Sequence, residues 1–361
     1  MSTVEGTSSL QATPPPFSVH PLQTIRGYEA GLKSLCFSPD GSLLATTDTF
    51  TLRFLRRETD GYYSLQRIIP VPATTLAFSS DGQLLACTLF DGRLHVWSSD
   101  GVQHADLLVR HDQATSVAFD STGQTLAVGT QAGAILLFDR TTWTPLGSFS
   151  GADGDTDTPS PIQHLSFTQN NNHLIFSCGD RITTVSLIRN EPGSLFEPPE
   201  IGDVAIPLAS AVMEPGTAPL ALSVSPDRQS LAVSGYADAC VWLLSLPTLT
   251  LIDTLRLPDN DQLLVALAFS PGGRWLAGGT YEGWVRIWEV SNRQVIMSFP
   301  AHTEGQTLDS ELAAIGSICW TPDGRFLVTG GALGATFYDP ERRCFSGPND
   351  YTVKVWRVES H

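Results

Sequence analysis

Three residues near the C-terminus have the makings of a nucleophilic site. His302, Thr329 and Asp350 are a base, a hydroxyl and a carboxylate. A carboxylate that orients a histidine against a hydroxyl is the set that activates a nucleophile. Such chemistry also needs a cleft and a donor pair for the oxyanion. The chain has no G-x-S-x-G elbow and no P-loop lysine, and its eight histidines are scattered across unrelated positions. Asp153, Asp155 and Asp157 alternate as in a calcium loop but lack the downstream Gly and Glu that complete one. They read as a solvated acidic loop. None of the six cysteines stands in a C-x-x-C pair, so zinc and dithiol chemistry find no ligand spacing. No metal and no cofactor is implied.

What positions these residues is a repeat. A phrase of the form apolar, Ala/Cys, Phe, Ser, Pro, Asp, Gly recurs seven times, as Leu35–Gly41, Leu76–Gly82, Val117–Gly123, Leu165–Thr168, Leu222–Asp227, Leu267–Gly273 and Ile318–Gly324. The aromatic (or Val224) recurs at intervals of 41, 41, 48, 57, 45 and 51 residues. A period of that size means one supersecondary unit per repeat, unable to bury its faces alone. The second unit shows the grammar. Thr75–Phe78 reads as a strand, Ser79–Gly82 as a turn, Leu84–Thr88 as a strand and Asp91-Gly92 as a turn. Arg93–Trp97 is a third strand with period-two alternation, and a fourth follows near Val102–Leu108. Asp-Gly supplies the positive φ that tight hairpins require. Four antiparallel strands per unit, seven times over, predict an all-β propeller.

Three phrases carry a family resemblance: Gly92-Arg-Leu-His-Val-Trp97, Gly283-Trp-Val-Arg-Ile-Trp288 and Tyr351-Thr-Val-Lys-Val-Trp356. With the Ser-Pro-Asp-Gly turns, they make residues 20–358 resemble the WD-repeat family. The resemblance implies a seven-bladed β-propeller in which each sequence repeat supplies three inner strands of one blade and the outer strand of its predecessor. Leu22–Ile25 would then be the outer strand of the last blade, so that N- and C-terminal segments close the ring in one sheet and remove two exposed edges. Gly27-Tyr28 takes the place of the family's Gly-His. The resemblance also recasts the His302–Thr329–Asp350 set. With Trp356 it matches the family's buried structural network, in which a carboxylate, an imidazole, a hydroxyl and an indole satisfy one another. Elsewhere the set is partial: Asp91 and Trp97 lack a His, Glu282 replaces Asp before Trp288, and His111 has Phe138 at the Trp position.

Residues 17–361 are thus expected to form one propeller domain, after a disordered Ser/Thr/Pro-rich tail over residues 1–16. The net charge of −16 and isoelectric point near 4.7 repel phosphate backbones, which argues against nucleic acid and suits a basic or weakly charged polypeptide. Neither an N-terminal signal pattern nor an apolar run of membrane length is visible, and unpaired cysteines suit a reducing compartment. A cytoplasmic, monomeric propeller working within a larger complex is expected.

Residues 332–347 interrupt the last repeat with ALGATFYDPERRCFSG. In the family's geometry that loop joins second and third strands on the top face. It carries Phe337, Tyr338, Arg342, Arg343 and Phe345, residue types enriched at binding hot spots. The resemblance also implies that the residue before the turn Asp faces the same way, which selects Phe90, Ala237, Tyr281 and Asn349. Phe90, Tyr281, Phe337, Tyr338, Arg342, Arg343 and Asn349 are therefore the expected partner-binding residues. The function this favours is a non-catalytic scaffold that docks a protein or peptide. The alternatives are a hydrolase or lyase at the channel mouth, and a ubiquitin-ligase receptor, whose WDxR phrase the chain does not match.

Overall fold

Apolar–polar alternation with period two, broken every few residues by an Asp-Gly or its equivalent, makes short strands joined by tight turns. The computed structural model describes residues 17–109, 112–151, 160–168, 171–187, 205–212, 218–236, 240–257, 263–302, 314–332, 337–339, 344–346 and 351–360. These build seven four-stranded antiparallel sheets whose first strands neighbour one another in a closed ring. Blade 1 comprises Ser34–Phe37, Leu43–Thr47, Leu52–Arg57 and Tyr63–Ile69, and blade 2 Ala73–Phe78, Leu84–Leu89, Arg93–Ser98 and Gln103–Leu108. Blade 3 is Ala114–Phe119, Thr125–Thr130, Ala134–Asp139 and Pro145–Ser150. Blade 4 is Ile162–Phe167, His173–Cys178, Arg181–Leu187 and Ala205–Val212. Blade 5 is Pro219–Val224, Ser230–Gly235, Cys240–Ser245 and Leu251–Arg256. Blade 6 is Leu264–Phe269, Trp275–Thr280, Trp284–Glu289 and Gln294–Pro300.

Blade 7 takes Ile315–Trp320, Phe326–Gly331 and Val353–Ser360 from the C-terminal region and its outer strand, Phe17–Ile25, from the N-terminal one. The register runs from Phe17 opposite Ser360 to Ile25 opposite Val353, so the outer strand begins five residues earlier than Leu22. Gln23 then reaches into blade 1, its amide bonding both the N–H and the C=O of Tyr63 at 2.8 and 2.9 Å.

The core lies between blades rather than within them. Ile287 of blade 6 packs with Ile315 and Leu327 of blade 7, and Leu137 of blade 3 with Ile162 and Leu174 of blade 4. Second strands are the most buried, and their centre is a fully buried alanine in five blades: Ala45, Ala86, Ala127, Ala232 and Ala277. A methyl there lets adjacent sheets approach closely. Burial pushes the thiols of Cys36, Cys87 and Cys319 above the usual range, as suits packing residues.

The recurring turn joins first to second strands on one face, here the bottom. Ser38 Oγ donates to Asp40 Oδ1 at 2.6 Å, and the same pair recurs as Ser79–Asp81, Ser225–Asp227 and Thr321–Asp323. Those serine hydroxyls hold the Asp40 and Asp227 carboxyls below the usual range. The last turn residue sits at φ of 69–71° as Gly41, Gly82, Gly123, Gly273 and Gly324. Each turn also touches the preceding one: a Cβ on Gly82 would meet Pro39 Cδ at 3.3 Å, and one on Gly41 would meet Pro322 Cδ at 3.2 Å. Two arginines at the ends of third strands span the same seams, Arg140 to Asp81 at 2.6 Å and Arg57 to Asp323 at 2.7 Å.

Candidate functional site

On the opposite, top face lie the turns between second and third strands. In blade 7, His302 Nε2 lies 2.8 Å from Thr329 Oγ1, and Trp356 Nε1 donates to the same oxygen at 3.0 Å. Lys354, opposite Thr329 in the sheet, donates from Nζ to Ala301 O at 2.8 Å. His302 and Thr329 are wholly buried, so this hydroxyl meets no substrate and serves to tie the loop before the first strand to the second and third. Asp350 lies outside the described residues.

Blade 1 builds the same tie from other residues. The Tyr28 hydroxyl lies 2.8 Å from Thr46 Oγ1, and burial pushes that phenol up to about 12. Arg53, which corresponds to Lys354, stacks 4.0 Å over the Tyr28 ring and donates to Gly27 O. Asp48 caps the turn, accepting from the N–H groups of Phe50 and Thr51 at 2.8 and 2.6 Å. In blade 2, Cys87 replaces the threonine, and Trp97 Nε1 is buried without a hydrogen-bond partner.

These ties hold a face that presents aromatic side chains. Phe90 is 49% exposed, its N–H fixed to Pro72 O at 3.2 Å. Tyr281 is half-buried rather than projecting, with its N–H on Leu263 O at 2.8 Å. Sequence reasoning missed Phe50 and Tyr236, which occupy the corresponding turns of blades 1 and 5 and are 53% and 63% exposed. Counting forward from the second strand rather than back from a turn Asp would have found Tyr236, which directly follows its strand as Phe90 and Tyr281 follow theirs; Phe50 lies two residues further on and needed the structure. Of the inserted segment, Phe337–Asp339 and Cys344–Ser346 form a two-stranded hairpin with Tyr338 opposite Phe345. Arg342, Arg343, Asn349 and Ala237 lie outside the described residues, as do His111 and the acidic residues at 153, 155 and 157. Among the described residues no three His, Cys, Asp or Glu converge on a metal site, and no helix is long and apolar enough to cross a membrane.

The family model described as WD domain, G-beta repeat, matches residues 19–54, 68–98, 250–289 and 294–357. The chain carries WD repeats. The four matched segments of this WD-repeat propeller fall in blades 1, 2, 6 and 7 and in the outer strand of blade 5. Among similar proteins are Protein HIR1 of Candida albicans, 40% identical over 79 residues, and the small ribosomal subunit protein RACK1y of Oryza sativa subsp. japonica, 29% identical over 138. The small ribosomal subunit protein RACK1 of Schizosaccharomyces pombe is 28% identical over 138 residues. These alignments cover 20%, 38% and 38% of the WD-repeat chain but only 9%, 34% and 37% of the respective relatives.

Proposed function

We propose that the chain is a non-catalytic scaffold whose top face docks a protein or peptide partner. The observation that carries this reading is the exposure of Phe50, Phe90 and Tyr236 at corresponding turns on one face of a rigid ring. An exposed aromatic has no packing role of its own and supplies contact area at little entropic cost. Tyr281, Asn349 and the inserted residues Phe337, Tyr338, Arg342 and Arg343 are assigned to the same docking role. The charge of −16 favours a partner of basic character and disfavours nucleic acid. Two relatives are named as proteins of the small ribosomal subunit, and by analogy with such assembly roles this chain is a cytoplasmic, monomeric propeller within a larger complex.

The test is affinity capture from native lysate with the full chain and with a Phe50→Ala, Phe90→Ala, Tyr236→Ala variant. A partner retained by the former and lost by the latter, at equal melting temperature, supports the reading. An unchanged set of captured proteins overturns it.

A further inference from the structure

The seven first strands enclose a channel of about 740 Å³ whose wall is uneven. In five blades only the first strand borders it. Between blades 4 and 5 it runs deeper, reaching Ile175 and Leu231 of their second strands and the bottom turn at Ser225, Pro226 and Arg228. The sequence explains the widening. Ile175 stands at the second-strand centre, where five other blades have a buried alanine, and a branched side chain there wedges the sheets apart. The first strands of blades 4 and 5 accordingly stand further apart than those of any other neighbouring pair.

Hydrogen bonding marks the same seam. Thr47 Oγ1 of blade 1 donates to Ala73 O of blade 2 at 3.1 Å, and Ser234 Oγ of blade 5 to Leu264 O of blade 6 at 2.9 Å. Ser177 is their counterpart in blade 4, yet its hydroxyl is buried without a partner. So is that of Thr184, directly opposite Ile175 and therefore on the same face of the sheet. Neither residue borders the channel, so the two hydroxyls mark a seam that closes less completely than its neighbours and do not themselves touch what the channel holds.

Arg228 completes the arrangement. It sits at φ 55° where five blades have glycine, and it borders the bottom of the channel, donating from Nη1 to Phe167 O of blade 4 at 2.9 Å. That is one bond for a group with five N–H donors. No carboxylate pairs with it among the described residues, and burial lowers its pKa. A half-buried cation without a counterion, at the mouth of an aliphatic cleft, is a site for an anion.

We propose that the seam between blades 4 and 5 binds a small aliphatic carboxylate, its head on Arg228 and its chain between Ile175, Leu222 and Leu231. One planar guanidinium matches one carboxylate bidentately, and the charge of −16 works against polyanions.

Titration calorimetry of the full chain with octanoate, octanol and octylamine tests this. Octanoate should saturate at one per chain, with octanol weaker by roughly tenfold or more and octylamine silent. Arg228→Gly, which restores the residue suited to a positive φ, should keep or raise the melting temperature and lose octanoate by roughly tenfold or more. Leu222→Trp should block octanoate by filling the cleft while Arg228 is intact. Octanoate binding that is absent at millimolar concentration, or equal in wild type and Arg228→Gly, overturns the assignment.

Discussion

Tyr28 Oη and Thr46 Oγ1 lie 2.8 Å apart beneath the Arg53 guanidinium, and His302 Nε2 lies at the same distance from Thr329 Oγ1 one blade away. A phenol thus does in blade 1 what an imidazole does in blade 7: it crosses from the loop before the first strand to a hydroxyl on the second. The two differ in what else depends on the hydroxyl. Thr329 also accepts from Trp356 Nε1, whereas in blade 1 the third-strand counterpart is Leu55, which needs no acceptor.

That difference sets the first prediction. Thr329→Val strands two buried groups and should destabilise by about 3 kcal/mol, whereas Thr46→Val strands only the Tyr28 hydroxyl and should cost about 1–2 kcal/mol. Adding Tyr28→Phe to Thr46→Val should recover part of that loss, because both partners of the bond are then apolar. Urea unfolding of wild type and the three variants, with the m-value held constant, checks the order.

The bottom turns allow a gain-of-stability prediction. Blade 6 reads Ser270-Pro271-Gly272-Gly273, with glycine where four other turns have the aspartate that accepts from Ser or Thr. A Cβ on Gly272 meets nothing within 4 Å. Gly272→Asp should therefore form the missing Ser270 bond and raise stability by about 1 kcal/mol. Gly41→Ala should do the reverse by about 1–2 kcal/mol, since φ is +71° and the new methyl lies 3.2 Å from Pro322 Cδ. Paired melting curves decide both.

Ring closure gives a third. Phe17–Ile25 covers the edge of Val353–Ser360, and Gln23 locks it to Tyr63. Removing residues 17–25 exposes an eight-residue edge strand, so the truncated chain should melt lower and aggregate on concentration. Light scattering beside the melting curve checks this, and an unchanged melt would mean the ring holds without that strand.

Most of this architecture was legible because the phrase that repeats is also the part that touches its neighbour. Ser-Pro-Asp-Gly shows as a motif since its glycine needs φ near 70° and its proline abuts the next turn. The top face was harder to read. Its turns vary in length, and Tyr236 was passed over for Ala237 because alignment on an aspartate slips by one residue. Phe50 escaped because its turn reads Asp48-Thr49-Phe50-Thr51, without Asp-Gly. The widened seam was invisible for a different reason. Ile175 is an ordinary strand residue, and only its register opposite Thr184 reveals it as the occupant of an alanine position.

His164 supplies the pH prediction. It lines the channel, where burial lowers its pKa to about 4, and Arg228 is the other ionisable side chain bordering that space among the described residues. A histidine titrates near 6.5 when unfolded. Between pH 6.5 and 4 the unfolded chain thus binds the proton more readily, so stability is full above 6.5 and falls as pH drops through that window. The loss by pH 5 should be on the order of 2 kcal/mol, and His164→Gln should flatten it. Asp323 acts lower. Burial raises its pKa, but the Thr321 hydroxyl, the Arg325 N–H and Arg57 together outweigh that and hold it below the usual range. Its contribution is therefore present above about pH 4 and lost beneath it, so Asp323→Asn should leave the pH 5 to 7 slope intact and shift only the acid limb. Denaturant midpoints measured across pH 3–8 for wild type and both variants separate the two groups, and a His164→Gln curve parallel to wild type would show that the imidazole titrates as it does in water.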